Sequence, residues 1–140
     1  MTCGAASSLT IVFNAIMQKD DECIVFTPYF PEYGVFLERT GAKLVAVKSE
    51  DKTFQVDMKG FEAAINEKTK AVVINSPNNP SGVVYSVETI EKMCDLLRKK
   101  EKEYGHPIFL VTDEPYRELV YDDIEVPYLI NYYDDTFVCY

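Results

Sequence analysis

Four short stretches hold the residues best suited to chemistry, and each follows or opens a regular element. Asp113 and Glu114 stand just past the apolar run Ile108–Val111. A carboxylate there is partly desolvated unless it finds a partner, so Asp113 either caps a short helix begun at Pro115 or holds a cation. Asn75-Ser76-Pro77-Asn78-Asn79-Pro80-Ser81-Gly82 follows a second run, Ala71–Ile74. Its composition is that of a rigid turn, and turn chemistry accounts for most of it. Asn79, flanked by Pro77 and Pro80, is also placed to present its amide as a fixed donor. Thr27-Pro28-Tyr29-Phe30-Pro31 follows a third run, Cys23–Phe26, and Phe30 offers a flat ring that either stacks on a planar group or closes the core. Finally, Thr2-Cys3-Gly4-Ala5-Ala6-Ser7-Ser8 opens a helical pattern with small residues. Free N–H groups at such a start bind phosphate, and small side chains let it approach.

The motifs that are missing narrow the chemistry. Asp-Glu after an apolar strand also suits the Mg²⁺ end of a P-loop ATPase, but no G-x-x-x-x-G-K-[ST] loop is present. The dinucleotide fingerprint G-x-G-x-x-G is absent too, so nothing supports a nicotinamide cofactor.

The elements that must position these residues alternate. Apolar runs at Cys23–Phe26, Leu44–Val47, Ala71–Ile74, Ile108–Val111 and Phe137–Tyr140 read as strands covered on both faces. Between them lie helical patterns: one after Gly4 with Leu9, Val12, Phe13 and Ile16, one over about 31–40, one over about 58–66, and the clearest over 87–104. In the last, Val87, Ile90, Met93, Cys94 and Leu97 share a face, Ser86 is placed as the cap, and Gly105 and Pro107 end the helix. The order α-β-α-β-α-β-α-β-β predicts an α/β fold, a mostly parallel sheet with helices on both faces. Ligands of such sheets bind beyond the C-terminal strand ends, where all the strand-following motifs fall.

Composition excludes other roles. Fourteen Lys+Arg against 23 Asp+Glu give a net charge of −9 without a basic stripe, which argues against nucleic acid or anionic lipid as a partner. No apolar run approaches the length of a membrane span, and the first 20 residues lack the basic-then-apolar layout of a signal peptide. Four scattered cysteines and one histidine offer neither a zinc site nor a disulfide framework, so reduced thiols and a cytoplasmic location are expected.

Together, the small-residue helix start, P-x-[FWY], N-P-x-G and D-x-x-Y, in this order, resemble the class I/II aminotransferases, pyridoxal-phosphate enzymes of fold type I. The resemblance covers all 140 residues and corresponds to the middle of the family's large cofactor-binding domain, which makes residues 1–140 a partial domain. It implies pyridoxal 5'-phosphate as cofactor, an amino acid and a 2-oxo acid as substrates, and a homodimer. By position it implies that the Ala5 and Ala6 amides hold the phosphate, that Phe30 stacks on the pyridine ring, that Asn79 and Tyr116 donate to the phenolic oxygen, and that Asp113 pairs with the ring nitrogen. Tyr33 is then placed to support Asp113, and Arg117 to support structure. The family's Schiff-base lysine corresponds to a position beyond Tyr140, so no catalytic residue is expected within the chain. The 140 residues are expected to be an excerpt without activity of their own. A lyase or decarboxylase on the same scaffold, and a non-catalytic α/β binding module, are the competing readings.

Overall fold

The computed structural model describes residues 2–140. Its elements run α1 (Ala5–Ile16), β1 (Glu22–Thr27), α2 (Glu32–Glu38), β2 (Lys43–Lys48), α3 (Met58–Ala64), β3 (Thr69–Asn75), α4 (Val87–Tyr104), β4 (Phe109–Asp113), a 3₁₀ turn at Leu129–Asn131 and β5 (Thr136–Cys139). Every strand pairing is parallel, in the order β2-β1-β3-β4-β5. The direction of winding therefore reverses between β1 and β3, and the crevice beyond their C-terminal ends is where such sheets take ligands.

Two apolar layers cover the sheet. Leu9, Phe13 and Met17 of the α1 region pack with Tyr33 and Leu37 of α2 against Cys23, Val25, Ala71, Val73 and Val111. On the other face Phe61 of α3 and Ile90, Met93, Cys94 and Leu97 of α4 pack against Ile24, Phe26, Val72, Ile74 and Leu110. Successive residues of β1 and β3 thus point into different cores, which is why their runs are apolar without alternation.

The outer strands depart from the sequence expectation. Only Val47 of β2 is buried, and Phe137 and Val138 of β5 are exposed. These are the sheet edges within the described residues, and one short apolar run does not reveal whether a helix covers it. The segment after Pro115 makes hydrogen-bonded turns, Arg117 N to Glu114 O and Leu119 N to Tyr116 O, in place of a short helix.

Helix α4 shows how local chemistry sets an element. The Ser86 hydroxyl accepts from Thr89 N at 3.1 Å and satisfies one of the orphan donors of the first turn. At the other end Gly105 takes φ +72°, a left-handed conformation that costs glycine little. Val87 is 44% exposed, so the buried stripe begins at Ile90, one turn later than the sequence pattern suggests. Accordingly, Ser86→Ala is expected to cost about 1 kcal/mol in urea unfolding, whereas Val87→Ala should stay within about 0.5 kcal/mol of the parent.

Candidate functional site

The C-terminal ends of β3 and β4 are in register, with Asn75 beside Asp113, and Asp113 is in turn beside Cys139 of β5. Asn75 is the first polar residue after a buried apolar run, and its side chain fastens two loops. Its Nδ2 donates to Asp113 O at 2.8 Å, and its Oδ1 accepts from Asn79 N at 2.6 Å. Motif reading passed over Asn75; the signal was a buried amide closing a strand whose preceding residues are apolar. The loop it fastens turns back on itself through Gly82 N to Asn78 O and Asn78 N to Val83 O.

Ala5, Ala6, Phe30, Asn79, Asp113 and Tyr116 all line one cavity of about 250 Å³, together with Cys3, Gly4, Leu9 and Pro115. Three larger cavities, two of about 440 Å³ and one of about 300 Å³, do not reach Asp113. The first of them shares Asn79 and Tyr116 with the smaller cavity. On one wall is the start of α1. Gly4 holds φ +79° and gives no side-chain cap, so the first-turn amides of Ala5 and Ala6 keep no intrahelical or cap partner. On another wall the Phe30 ring meets Tyr33 edge to face, with centroids 5.6 Å apart and planes at 80°. That packing helps to fix the ring, which is half-buried at the cavity wall.

Asp113 forms the floor. It is 5% exposed, and the Tyr33 hydroxyl, from α2, donates to its Oδ2 at 2.7 Å. Its Oδ1 is buried without a partner. A carboxylate accepts at both oxygens, so the free one calls for a donor or a cation from the cavity. Desolvation raises the Asp113 pKa above its ordinary value; the Tyr33 hydrogen bond acts against this and the neighbouring Glu114 adds to it. Across the cavity mouth Asn79 Nδ2 donates to Tyr116 Oη at 3.3 Å. This leaves the second amide hydrogen and the Tyr116 hydroxyl proton for one shared acceptor.

No lysine or arginine lines the cavity, and no group of metal-ligating side chains is assembled among the described residues. The site thus offers a buried carboxyl with one unpartnered oxygen, two side-chain donors on one side, first-turn helix amides on another and an aromatic ring.

The energetic cost of this arrangement is measurable. A carboxyl whose folded pKa is raised favours folding where it is protonated, and that contribution is lost as pH rises through the raised value. Asp113→Asn is therefore expected to raise the melting temperature of the ligand-free protein by about 2 °C or more at pH 7. The gain should vanish as pH falls into the ordinary carboxylate range. An unchanged or lower melting temperature at pH 7 would show that Asp113 is not strained by burial.

Comparison with known proteins adds an independent line. The family described as Aminotransferase class I and II matches residues 1–140. The aspartate aminotransferase of Bacillus subtilis (strain 168) is 37% identical over 119 residues, which are 84% of this chain and 29% of that protein. Among solved structures, an amino transferase from Eubacterium rectale superposes with a TM-score of 0.96 at 56% identity, covering 98% of this chain and 35% of the other. Thermus thermophilus aspartate aminotransferase crystallised with maleate gives a TM-score of 0.86 at 33% identity, with 98% and 35% covered. The chain spans less than a third of the length of the curated relatives it matches. With its parallel sheet, its strand-end cavity and a family match along its whole length, the chain belongs to the class I and II aminotransferases, a family that depends on pyridoxal phosphate.

Proposed function

We propose that these residues form the pyridoxal-phosphate-binding part of an enzyme that moves an amino group between an amino acid and a 2-oxo acid. The observation that carries the reading is the unpartnered, buried Oδ1 of Asp113, set in a cavity that also presents an aromatic face and unpaired helix amides. These features fit the cofactor group by group. Asp113 would hold a protonated pyridine nitrogen, and an adjacent opposite charge favours the protonated ring by roughly 1–3 pKa units. The amides of Ala5 and Ala6 would hold the phosphate. Asn79 and Tyr116 would supply donors for the phenolic oxygen, and Phe30 would offer its ring for stacking. When bound, the pyridoxal ring supplies the electron sink that makes loss of a substrate α-proton feasible.

The protein's own part is orientation and charge. Tyr33 fixes the Asp113 carboxylate through Oδ2 and leaves Oδ1 without a protein partner. Asn75 holds the Asn79 loop at a set height above β4. Preorganised groups of this kind need little rearrangement when charge develops. No lysine lines the cavity, so these residues alone contribute no amine there to serve as nucleophile and proton carrier. Relatives are named for aspartate and for alanine, which supports amino-group transfer as the class of reaction. The same proposal makes the whole protein a cytoplasmic homodimer that binds neither nucleic acid nor membrane. The net charge of −9 argues against nucleic acid and anionic lipid as partners, and no helix among the described residues is long and apolar enough to cross a membrane.

The test is amino transfer by the whole protein with cofactor, amino acid and 2-oxo acid. Asp113→Ala should lower kcat/KM roughly 100-fold or more, while the 140 residues alone should give no turnover above free cofactor. Full activity of the Asp113 variant, or turnover by the isolated chain, would contradict the assignment.

A further inference from the structure

Next to Asp113 stands a second buried acid. Glu114 is 3% exposed, its Oε1 has no hydrogen-bond partner, and its Oε2 accepts from Arg117 Nε at 2.7 Å. Arg117 is itself 9% exposed, and each of its two Nη atoms donates as well: Nη1 to Val126 O at 2.8 Å and Nη2 to Pro127 O at 3.0 Å. Its guanidinium lies 3.7 Å from the centroid of the Tyr128 ring. A planar, always-charged fork that meets one carboxylate, two carbonyls and a ring face is a role lysine cannot reproduce. The same residue ties the loop that follows β4 back to the start of the D-x-x-Y segment.

The groups around Asp113 define what this clamp does. Tyr33 faces it from α2 as a neutral donor, its own ionisation disfavoured by burial first and by Asp113 second. Cys139 faces it from β5, its thiol pushed up to about 12 by burial and by both acids, and so neutral. Tyr116 and Glu114 belong to its own segment, β3 offers the neutral Asn75, α1 contributes Leu9 and backbone amides at the cavity, and Cys3 lies there just before α1. Glu114 is therefore the anion in this set, and Arg117 the cation bound to it.

We infer that Arg117 is a positioning residue for the site: by neutralising Glu114 it keeps Asp113 as the carboxylate that ionises toward the cavity. Without Arg117 two adjacent buried carboxyls compete for one proton, and the pair holds it to higher pH. Asp113 then spends part of the neutral range protonated, unable to stabilise a cationic ring. The inference rests on the proposed role of Asp113 but concerns a property of the cofactor-free protein, so the two can fail separately.

The experiment follows the Asp113 carboxyl in the cofactor-free whole protein by carbon NMR with ¹³C-labelled aspartate, its signal assigned by its loss in Asp113→Asn. In Arg117→Met the titration midpoint of Asp113 is expected to rise by about 1 unit or more, and in Arg117→Met/Glu114→Gln to return to or below the parent value. Arg117→Lys, which keeps the charge without the fork, should stay closer to the parent. A folded Arg117→Met protein with an unchanged midpoint overturns the inference. If Arg117→Met does not fold, Glu114→Gln alone decides: its Asp113 midpoint must fall, and an unchanged value overturns the inference equally. Failure of the functional reading shows separately, as a parent protein without amino transfer whose Asp113 midpoints still move as described.

Discussion

One carboxylate at the end of β4, held by one oxygen and free at the other, is the constraint around which the rest of the site is arranged. Burying Asp113 costs free energy, because the charged form is desolvated and Glu114 lies beside it. The fold offsets part of that through the Tyr33 hydroxyl and leaves the rest for a partner in the cavity. A protein selected for stability alone would place an uncharged residue here. Keeping the acid is the kind of local conflict that marks a functional position.

The parallel sheet explains why the acid can be held so firmly. Its position is set by backbone pairing on both sides, to Asn75 of β3 and Cys139 of β5, in the interior of the sheet. The loops beyond those strand ends can then vary in chemistry without moving it. Asn75 extends the same rigidity one step outward, because its amide ties the Asn79 loop to β4 through two hydrogen bonds. Arg117 does so on the other side, closing residues 126–128 over the segment that carries Tyr116. Two walls of the cavity, the Asn79 loop and the segment that carries Tyr116, are thus held by the buried polar side chains of Asn75 and Arg117.

Much of this was legible in the sequence, for definite reasons. Apolar runs without alternation in β1, β3 and β4 signalled strands with a core on each face, and Ser86 and Gly105 bounded α4 through cap chemistry that is local. The strand-end motifs and the small-residue helix start together held the six residues that the fold gathers around one cavity. What the sequence left open depended on contacts between distant residues. Exposure of Phe137 and Val138 is set by what packs on β5, which a four-residue run does not encode. The Tyr33–Asp113 hydrogen bond spans 80 positions and was expected only through the family resemblance, while the Arg117 clamp uses backbone carbonyls that have no side-chain signature. The chemistry of the cavity could be read from residue types, whereas the partners of Asn75 and of Arg117 emerged only once the chain was folded.

The most direct test of this account is the protonation state of the pyridine nitrogen of ¹⁵N-labelled pyridoxal phosphate bound to the whole protein, read from its nitrogen chemical shift. The account predicts a protonated ring at neutral pH that stays protonated well into the alkaline range, and loss of that state in Asp113→Asn. An unprotonated ring in the parent protein, or a protonated one that persists unchanged in Asp113→Asn, would contradict it.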